Sequence, residues 1–547
     1  MKTRTIRCCI ALIAGIILTS TAWAQWPSDP SLNLALTNGI GDHVQPKLLP
    51  LATGEWYLSW FDNPAHGYGV YVQALDAGGV NLAHPNGIQV ANLGLSSTED
   101  YGLSVDTSGN GLIAFLDDRE GSNVQVTAAK ISPKGQMVWG KLGIQLTNDQ
   151  NSNNDPKIAG TSDGNVVVGW SSNSNVVLQK LDPNGVPLWG KGVVLTQSGA
   201  SFVLSDLHAS ENGSVIVSWV SGTGFGSPQI LLATKLSKNH VPLWGTTPVH
   251  VFDGGSLQFG EFPYFIPDGS GGAVFSWYSN SPTLQVYAQH ILSNGAEAFP
   301  HNGSVGSNNT NNVHVSPSAA YLKSTGETFL FWEEQDSLQA MSGVSGQKFN
   351  STGAQQWGSD GLTIVPLGND QQLFVQTVQT GTGAQIFWVD EPSFDSDTMN
   401  AARLDGSGNL TCPITPISTV VSGKSRLAAA IAPSGLSAVV FEDDRTSNNN
   451  IYLQNVNTDC SLGYLPIQCS ELHSASAQCV NGNLNVEITL KDLSNDGNSL
   501  TLQVNSIDHT LPIQRKHATF STPGQGANTL LLTNPAGCAQ QKMVQCP

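Results

Sequence analysis

Gly271-Gly272-Ala273-Val274-Phe275-Ser276-Trp277 reads as a glycine turn feeding a short apolar strand that ends on an aromatic ring. The same pattern returns at residues 56–60, 112–115, 166–170, 215–219, 328–332, 384–388 and 437–441. The closing aromatics are Trp60, Phe115, Trp170, Trp219, Trp277, Trp332, Trp388 and Phe441, spaced by 55, 55, 49, 58, 55, 56 and 53 residues. A mean period of about 54 suits a unit of four antiparallel strands with generous loops. Six residues before the aromatic stands a glycine in seven units: Gly54, Gly109, Gly164, Gly213, Gly271, Gly326 and Gly435. The remaining unit has Thr382 there. A tight hairpin needs a positive φ, and glycine supplies it without steric cost.

Each unit continues with a Val-, Ile- and Tyr-rich strand that often carries a glutamine at one register: Gln73, Gln179, Gln289, Gln347 and Gln454. A polar turn such as Asp182-Pro183-Asn184-Gly185 follows, then a tryptophan (Trp139, Trp189, Trp244 or Trp357) and a last strand such as 143–147. Eight such units predict an eight-bladed β-propeller, with an elongated β-solenoid as the alternative. Leu36-Thr37-Asn38 repeats Leu146-Thr147-Asn148 at the same distance from a Pro-Lys pair. Residues 32–37 are therefore expected to be a displaced fourth strand. The eighth unit runs straight into Cys460 without a fourth strand of its own, so the N-terminal segment is expected to complete it and remove an exposed sheet edge. Cys412 and Cys460 fall in neighbouring turns of units seven and eight, where a disulfide could join them.

The period ends near residue 466. Residues 484–490 and 500–504 alternate apolar and polar around Ser494-Asn495-Asp496-Gly497-Asn498, which reads as a hairpin, and short strands are expected at 510–513, 518–520 and 529–532. This stretch is bracketed by Cys469/Cys479 and Cys538/Cys546 and predicts a small β-sandwich tied at its ends. The division is then a leader at 1–24, a propeller at 25–466 and a sandwich-like domain at 467–547.

Lys2, Arg4 and Arg7 precede an apolar run from Cys8 to Ala22, and Ala22-Trp23-Ala24 matches a leader cleavage signal before Gln25. The run is too short to span a bilayer, and no later segment offers a transmembrane span. Six cysteines remain after the leader: Cys412, Cys460, Cys469, Cys479, Cys538 and Cys546. An even number in an exported chain favours disulfides, with 15 connectivities open. The expectation is a secreted, periplasmic or cell-surface protein. Composition agrees, with 12% charged residues, 41 Asp+Glu against 23 Lys+Arg, and a formal charge of −18. Nucleic acid is an unlikely partner for so acidic a chain, because phosphate binding requires clustered cations.

After the closing aromatics come Asp62, Asp117-Asp118-Arg119, Glu333-Glu334, Asp390-Glu391 and Glu442-Asp443-Asp444-Arg445, all in the loop between second and third strands. That loop shares a face with the blade-to-blade connections. Asp62, Asp117, Asp118, Glu333, Asp390, Asp443 and Asp444 could form an acidic rim for Ca²⁺ or a polyhydroxylated ligand. Against this, a feature repeated blade after blade usually builds the blade, each acid accepting N–H bonds in its own turn. Residues 492–498 resemble the start of a calcium loop, but Gln503 stands where the bidentate glutamate belongs, and the turn explanation is preferred. The repeated tryptophans could stack sugars, though once per blade they suit packing better. No histidine pair, nucleophile elbow or phosphate loop is present, so no catalytic residue is assigned and no cofactor is called for beyond Ca²⁺ at the rim.

The units resemble a repeat of exported bacterial propeller proteins, in which a G-G-x-(I/V)-x-x-W strand leads to an acidic turn with Arg, a Y-x-Q-x-(L/I) strand and an N-G-x-x-x-W turn. Gly271–Trp277, Asp117-Asp118-Arg119, Tyr287-Ala288-Gln289-His290-Ile291 and Asn184-Gly185 with Trp189 carry the likeness, over about residues 31–465. It implies a secreted propeller and no enzymatic role. Sialidase-type propellers differ: their turn motif is absent here, and only Arg119, Arg403, Arg426, Arg445 and Arg515 remain for an arginine triad. The function expected is a non-enzymatic binding or adhesion protein for a glycan or protein ligand outside the cell. The alternatives are a polysaccharide hydrolase or lyase using a carboxylate pair on that face, and a structural component of a surface assembly.

Overall fold

The computed structural model describes residues 26–547 except 38, 64–66, 83, 85, 96–99, 120–122, 225, 282, 464–466, 468, 492–498, 535–537 and 539–540. The leader read at 1–24 and the calcium-like stretch 492–498 lie outside the described residues. Eight antiparallel sheets follow one another as an eight-bladed β-propeller, and each recurrent apolar segment is the second strand of its blade. In blade three, for example, Asn153–Gly160, Val166–Ser172, Asn175–Leu181 and Val193–Leu195 pair in chain order. The second strands are apolar on both faces because neighbouring blades cover them, and Trp56, Trp219, Trp277 and Trp332 are fully buried.

The repeated glutamines and tryptophans have separate tasks. The glutamine side chain bridges its own strand to the turn ten or eleven residues on. Gln347 donates to Gly358 O at 2.7 Å and accepts from Trp357 N at 2.9 Å, and Gln179 and Gln289 do the same at their turns. The tryptophan reaches the next blade. Nε1 of Trp139, Trp189 and Trp244 donates to the turn carbonyls of Pro183, Lys238 and Ser293 at 2.9, 3.2 and 3.0 Å. The rings of Trp139 and Trp244 lie on that turn's glycine, whereas Trp189 meets His240 edge-on. A Cβ at Gly295, where φ is +85°, would come within 2.8 Å of Trp244. Glycine is needed there for the turn and for the close approach together. The packing explanation of these tryptophans holds.

Ring closure follows the expected route. Leu34–Ala35 pairs antiparallel with Leu453 and Tyr452 as the outermost strand of blade eight. Trp26 takes the place of the missing turn tryptophan, donating to Ala77 O of blade one at 2.7 Å with its ring against Gly79. Gln454, lacking its own turn, donates to Pro27 O at 2.7 Å. Asn33 is buried between blades seven and eight, where it bonds Ile417 O, Gln454, Ser418 and Arg445. The Cys412–Cys460 disulfide is present beside this closure.

Beyond Val456, seven strands form a second unit in the spatial order Leu472–Val480, Asn483–Leu490, His517–Pro523, Ile507–Gln514, Ser499–Val504, Gly526–Asn534 and Lys542–Cys546. Its core gathers Leu484, Ile488, Leu500, Leu511 and Leu532. Cys479–Cys546 joins the two terminal strands of that order, and Cys469–Cys538 gives a second tie. The expected hairpin is not formed. The strands on either side of Ser494–Asn498 do not pair with each other: 483–490 pairs with 472–480 and 517–523, and 499–504 pairs with 507–514 and 526–534. The strands 472–480 and 542–546 carry no sequence signal, since both are largely exposed and show no clear alternation.

Asn33→Ala removes four buried hydrogen bonds and leaves Ile417 O and Gln454 Oε1 without that partner, so it should lower stability by about 3 kcal/mol in urea unfolding followed by tryptophan fluorescence. Asp118→Asn, half-buried at the surface after the strand end, should stay within about 0.5 kcal/mol.

Candidate functional site

The innermost strands surround the axis, and their first residues pair with the end of the second strand, at the face carrying the second-to-third-strand loops. Near that end an extra residue bulges most inner strands, with register shifts at Val44/Lys47, Asn154/Lys157, Leu204/Asp206, Val315/Ser318, Leu373/Gln376 and Ser425/Ala428. Gln45, Asp155, Ser316, Phe374 and Arg426 accordingly take φ between 50° and 57°. A side chain in this region costs about 1–2 kcal/mol, and the freed backbone needs a partner. Carboxyl groups of the preceding blade serve: Glu442 accepts from Gln45 N at 2.6 Å and Glu333 from Phe374 N at 2.7 Å.

Most acids of the expected rim are engaged inside the scaffold. Asp62 pairs with His43 at 3.3 Å. Asp117 is buried under Arg119 (Nε at 2.7 Å) and Thr127. Asp390 accepts from Gln372, Asp443 holds Arg445, Lys424 and Ser422, and Asp444 accepts from Gly423 N. Asp118 is half-buried at the surface. These acids are spread around the ring, and the structure does not gather them around a common point.

The repeat breaks at blade five. Its inner strand is split into Ser256–Leu257 and Phe265–Pro267, and Gln258 to Tyr264 make an excursion carrying Phe259, Glu261, Phe262 and Tyr264. Tyr264, 57% exposed, crosses the axis to donate to Asp100 Oδ2 of blade two at 2.9 Å. Asp100 also receives Lys47 from blade one at 2.7 Å and Lys157 from blade three, whose Nζ lies 5.1 Å from the Tyr264 ring centre. Burial alone would raise the Asp100 carboxyl, but the two ammonium groups hold it well below the usual carboxylate range. Lys157 favours the Tyr264 phenolate, yet burial and the Asp100 carboxylate outweigh it and keep the hydroxyl protonated. Asp206 of blade four stands beside this group, accepting from Phe265 N at 3.1 Å and bonding His208 Nε2 at 3.0 Å. Burial opposes the imidazolium, but the Asp206 carboxylate raises the His208 pKa overall.

On the other side of Tyr264 a cavity of about 510 Å³ opens between blades five, six and seven, lined by Glu261, Phe262, Tyr278, Ser316 and Gln376 among others. Phe262 is 38% exposed. Glu333 lies behind Ser316, and burial pushes its carboxyl up to about 7, against hydrogen bonds from Phe374 N and Ser316. The mouth thus has a charged half and a cavity half, with Tyr264 facing both. Of these residues the sequence singled out only Glu333 as a site candidate. The usable signals were the longest anchor spacing, 58, and the aromatic-rich run Phe259-Gly260-Glu261-Phe262-Pro263-Tyr264-Phe265 inside it.

This is the geometry of a propeller protein whose repeat is interrupted, among the described residues, at blade five. No family model matches the chain, and no curated protein matches it. Among solved structures it is similar to prolyl oligopeptidase B from Galerina marginata (11% identity, 74% of this chain and 56% of that chain, TM-score 0.41). An α-L-arabinanase from Penicillium chrysogenum complexed with arabinobiose matches at 12% identity over 55% of this chain and 92% of that chain (TM-score 0.34). An ulvan lyase, a polysaccharide lyase, matches at 10% identity over 68% and 96% (TM-score 0.42). The chain thus spans little more than half the length of the oligopeptidase it matches. Similarities of this size carry no argument about the ligand.

Glu333 offers a test of the buried mouth. Between its ordinary value of 4.5 and about 7 the folded protein holds a proton that the unfolded chain has released. Stability therefore falls as pH rises through that window, by about 3 kcal/mol in all. Glu333→Gln keeps an acceptor for Phe374 N and removes the titration. Thermal melts should show wild type and variant alike near pH 4.5, with the variant gaining steadily up to pH 7.

Proposed function

We propose that this is an exported, non-enzymatic binding protein that seats a glycan at the mouth of the propeller axis, over the blade-five excursion. The observation that carries the reading is the singularity of that mouth. A feature repeated in every blade is explained by the blade, whereas Tyr264, Phe262 and their cavity occur once. Exposed aromatic faces beside Ser316, Gln376 and Glu261 suit a ring with one apolar face and a hydroxylated edge. The three disulfides accord with an oxidising compartment. No helix among the described residues is long and apolar enough to cross a membrane.

A second reading, hydrolysis or elimination of a polysaccharide at the same mouth, has one observation in its favour. Two carboxyls, Glu261 and Glu333, are both held toward the neutral form by burial around Tyr278, as a general acid requires. Release of reducing ends or unsaturated products from a bound glycan would move the assignment to that reading.

Binding to a broad glycan panel, with Ca²⁺ and again with EDTA, tests the proposal. Saturable binding to one sugar class is expected, reduced about tenfold or more by Phe262→Ala or Tyr264→Ala. Asp62→Asn and Asp390→Asn should leave it unchanged. The reverse pattern would return the site to the acidic rim, and silence across the panel would sink the glycan reading.

A further inference from the structure

Glu261 is built unlike the other acids of this face. Its Oε1 accepts from Tyr278 N at 2.9 Å, while Oε2 is buried without a hydrogen-bond partner in the protein. The side chain lines the blade-five cavity, whose walls include Phe262, Pro263, Tyr278 and Pro317 with the hydroxyl of Ser316 and the amide of Gln376. No Lys, Arg or His is among the described residues lining it. The nearest titratable groups on each packed element are Tyr264 on the same excursion, Tyr278 on the second strand of blade five, and Glu333 from blade six, which acts on Tyr278 from the other side.

An unpaired carboxyl oxygen in such surroundings is unfavourable in either protonation state until something bonds it. With no cation near, an ionised Glu261 has only the backbone N–H groups of Tyr278 and Gln258 to favour it, and burial outweighs them and raises its pKa well above the ordinary value. The undissociated acid adds a hydrogen-bond donor to a largely apolar wall. A carboxylate ligand would bring a second charge into a site that compensates none. A hydroxyl or ring oxygen of a neutral sugar would bring only the acceptor.

Resting on the glycan reading above, we propose that Glu261 orients the ligand in this cavity, its carboxyl group bonding a hydroxyl or ring oxygen of an uncharged sugar, so that binding is linked to a proton. Affinity is then highest where Glu261 is protonated and falls as pH rises and the group ionises.

The experiment measures calorimetric affinity for the best neutral glycan of the panel, from about pH 5 to about pH 9, a range spanning known buried glutamates. The proteins are wild type, Glu261→Gln, Glu261→Ala and Glu333→Gln. Wild type should lose about tenfold across the range, the worth of one hydrogen bond to a buried group. Glu261→Gln keeps a permanent N–H donor, so it should bind within about threefold of wild type at the acid end and show a flat profile. Glu261→Ala should bind about tenfold more weakly at the acid end. Glu333→Gln should retain the wild-type pH slope, and loss of the slope in that variant would assign the proton to Glu333 and overturn the inference. A neutral glycan that binds with the same affinity and slope in Glu261→Ala overturns this inference alone and leaves glycan binding standing. A panel with only charged binders overturns it too, and a panel with no binder removes both.

Discussion

Everything in the propeller hangs on the clasp between a tryptophan of one blade and the glycine turn of the next. A four-stranded sheet has two apolar faces and cannot bury either alone, so a blade is stable only when flanked. The indoles of Trp139, Trp189 and Trp244 make that flanking specific, because each ends on a carbonyl of the next blade's turn, Trp139 and Trp244 lying over its glycine and Trp189 against His240. The glutamines behind Trp189 and Trp357 hold the main chain of those tryptophans in place. Trp26 extends the same device to blade eight, where the chain brings it from the opposite terminus.

Periodic demands of this kind are what a single sequence displays best. The turn glycines, the closing aromatics and the glutamines recur at one register because each blade must solve the same packing problem. Blade number, ring closure through residues 32–37 and the Cys412–Cys460 bridge are all legible in the spacing of residues along the chain. The axial site is not. Tyr264 and Asp100 are 164 residues apart and meet only because eight blades close a ring, so no local pattern announces them. The acids after the closing aromatics are conspicuous for the opposite reason: they repeat, and Asp117 and Asp443 prove to be buried fasteners of their own turns. The pairing inferred between 484–490 and 500–504 fails similarly, since a turn signal does not say which strands pair.

The mouth of the axis is where this regularity is relaxed. Five residues other than glycine accept a left-handed conformation there, and carboxyl groups from the preceding blade stabilise two of the freed backbone amides. Blade five goes further and gives up the continuous inner strand altogether. The outer strands and clasps of that blade keep their register, so a loop can vary at the centre of the ring without loosening its circumference. Local strain inside an over-determined frame is the usual setting for recognition.

Joining the two ends of the chain in blade eight also has a consequence in time. Leu34 is made early but finds Leu453 only after seven blades exist, so closure is among the longest-range contacts the fold contains. The entropy of bringing such distant segments together grows only slowly with length, but it must be met before any pairing rewards it. Until then blade eight exposes an open strand edge, and blade one shows a bare glycine turn where Trp26 will sit. The finished ring is the reverse: with its first strand locked inside its last blade, no blade can peel from either end, and opening requires the closure itself to break first.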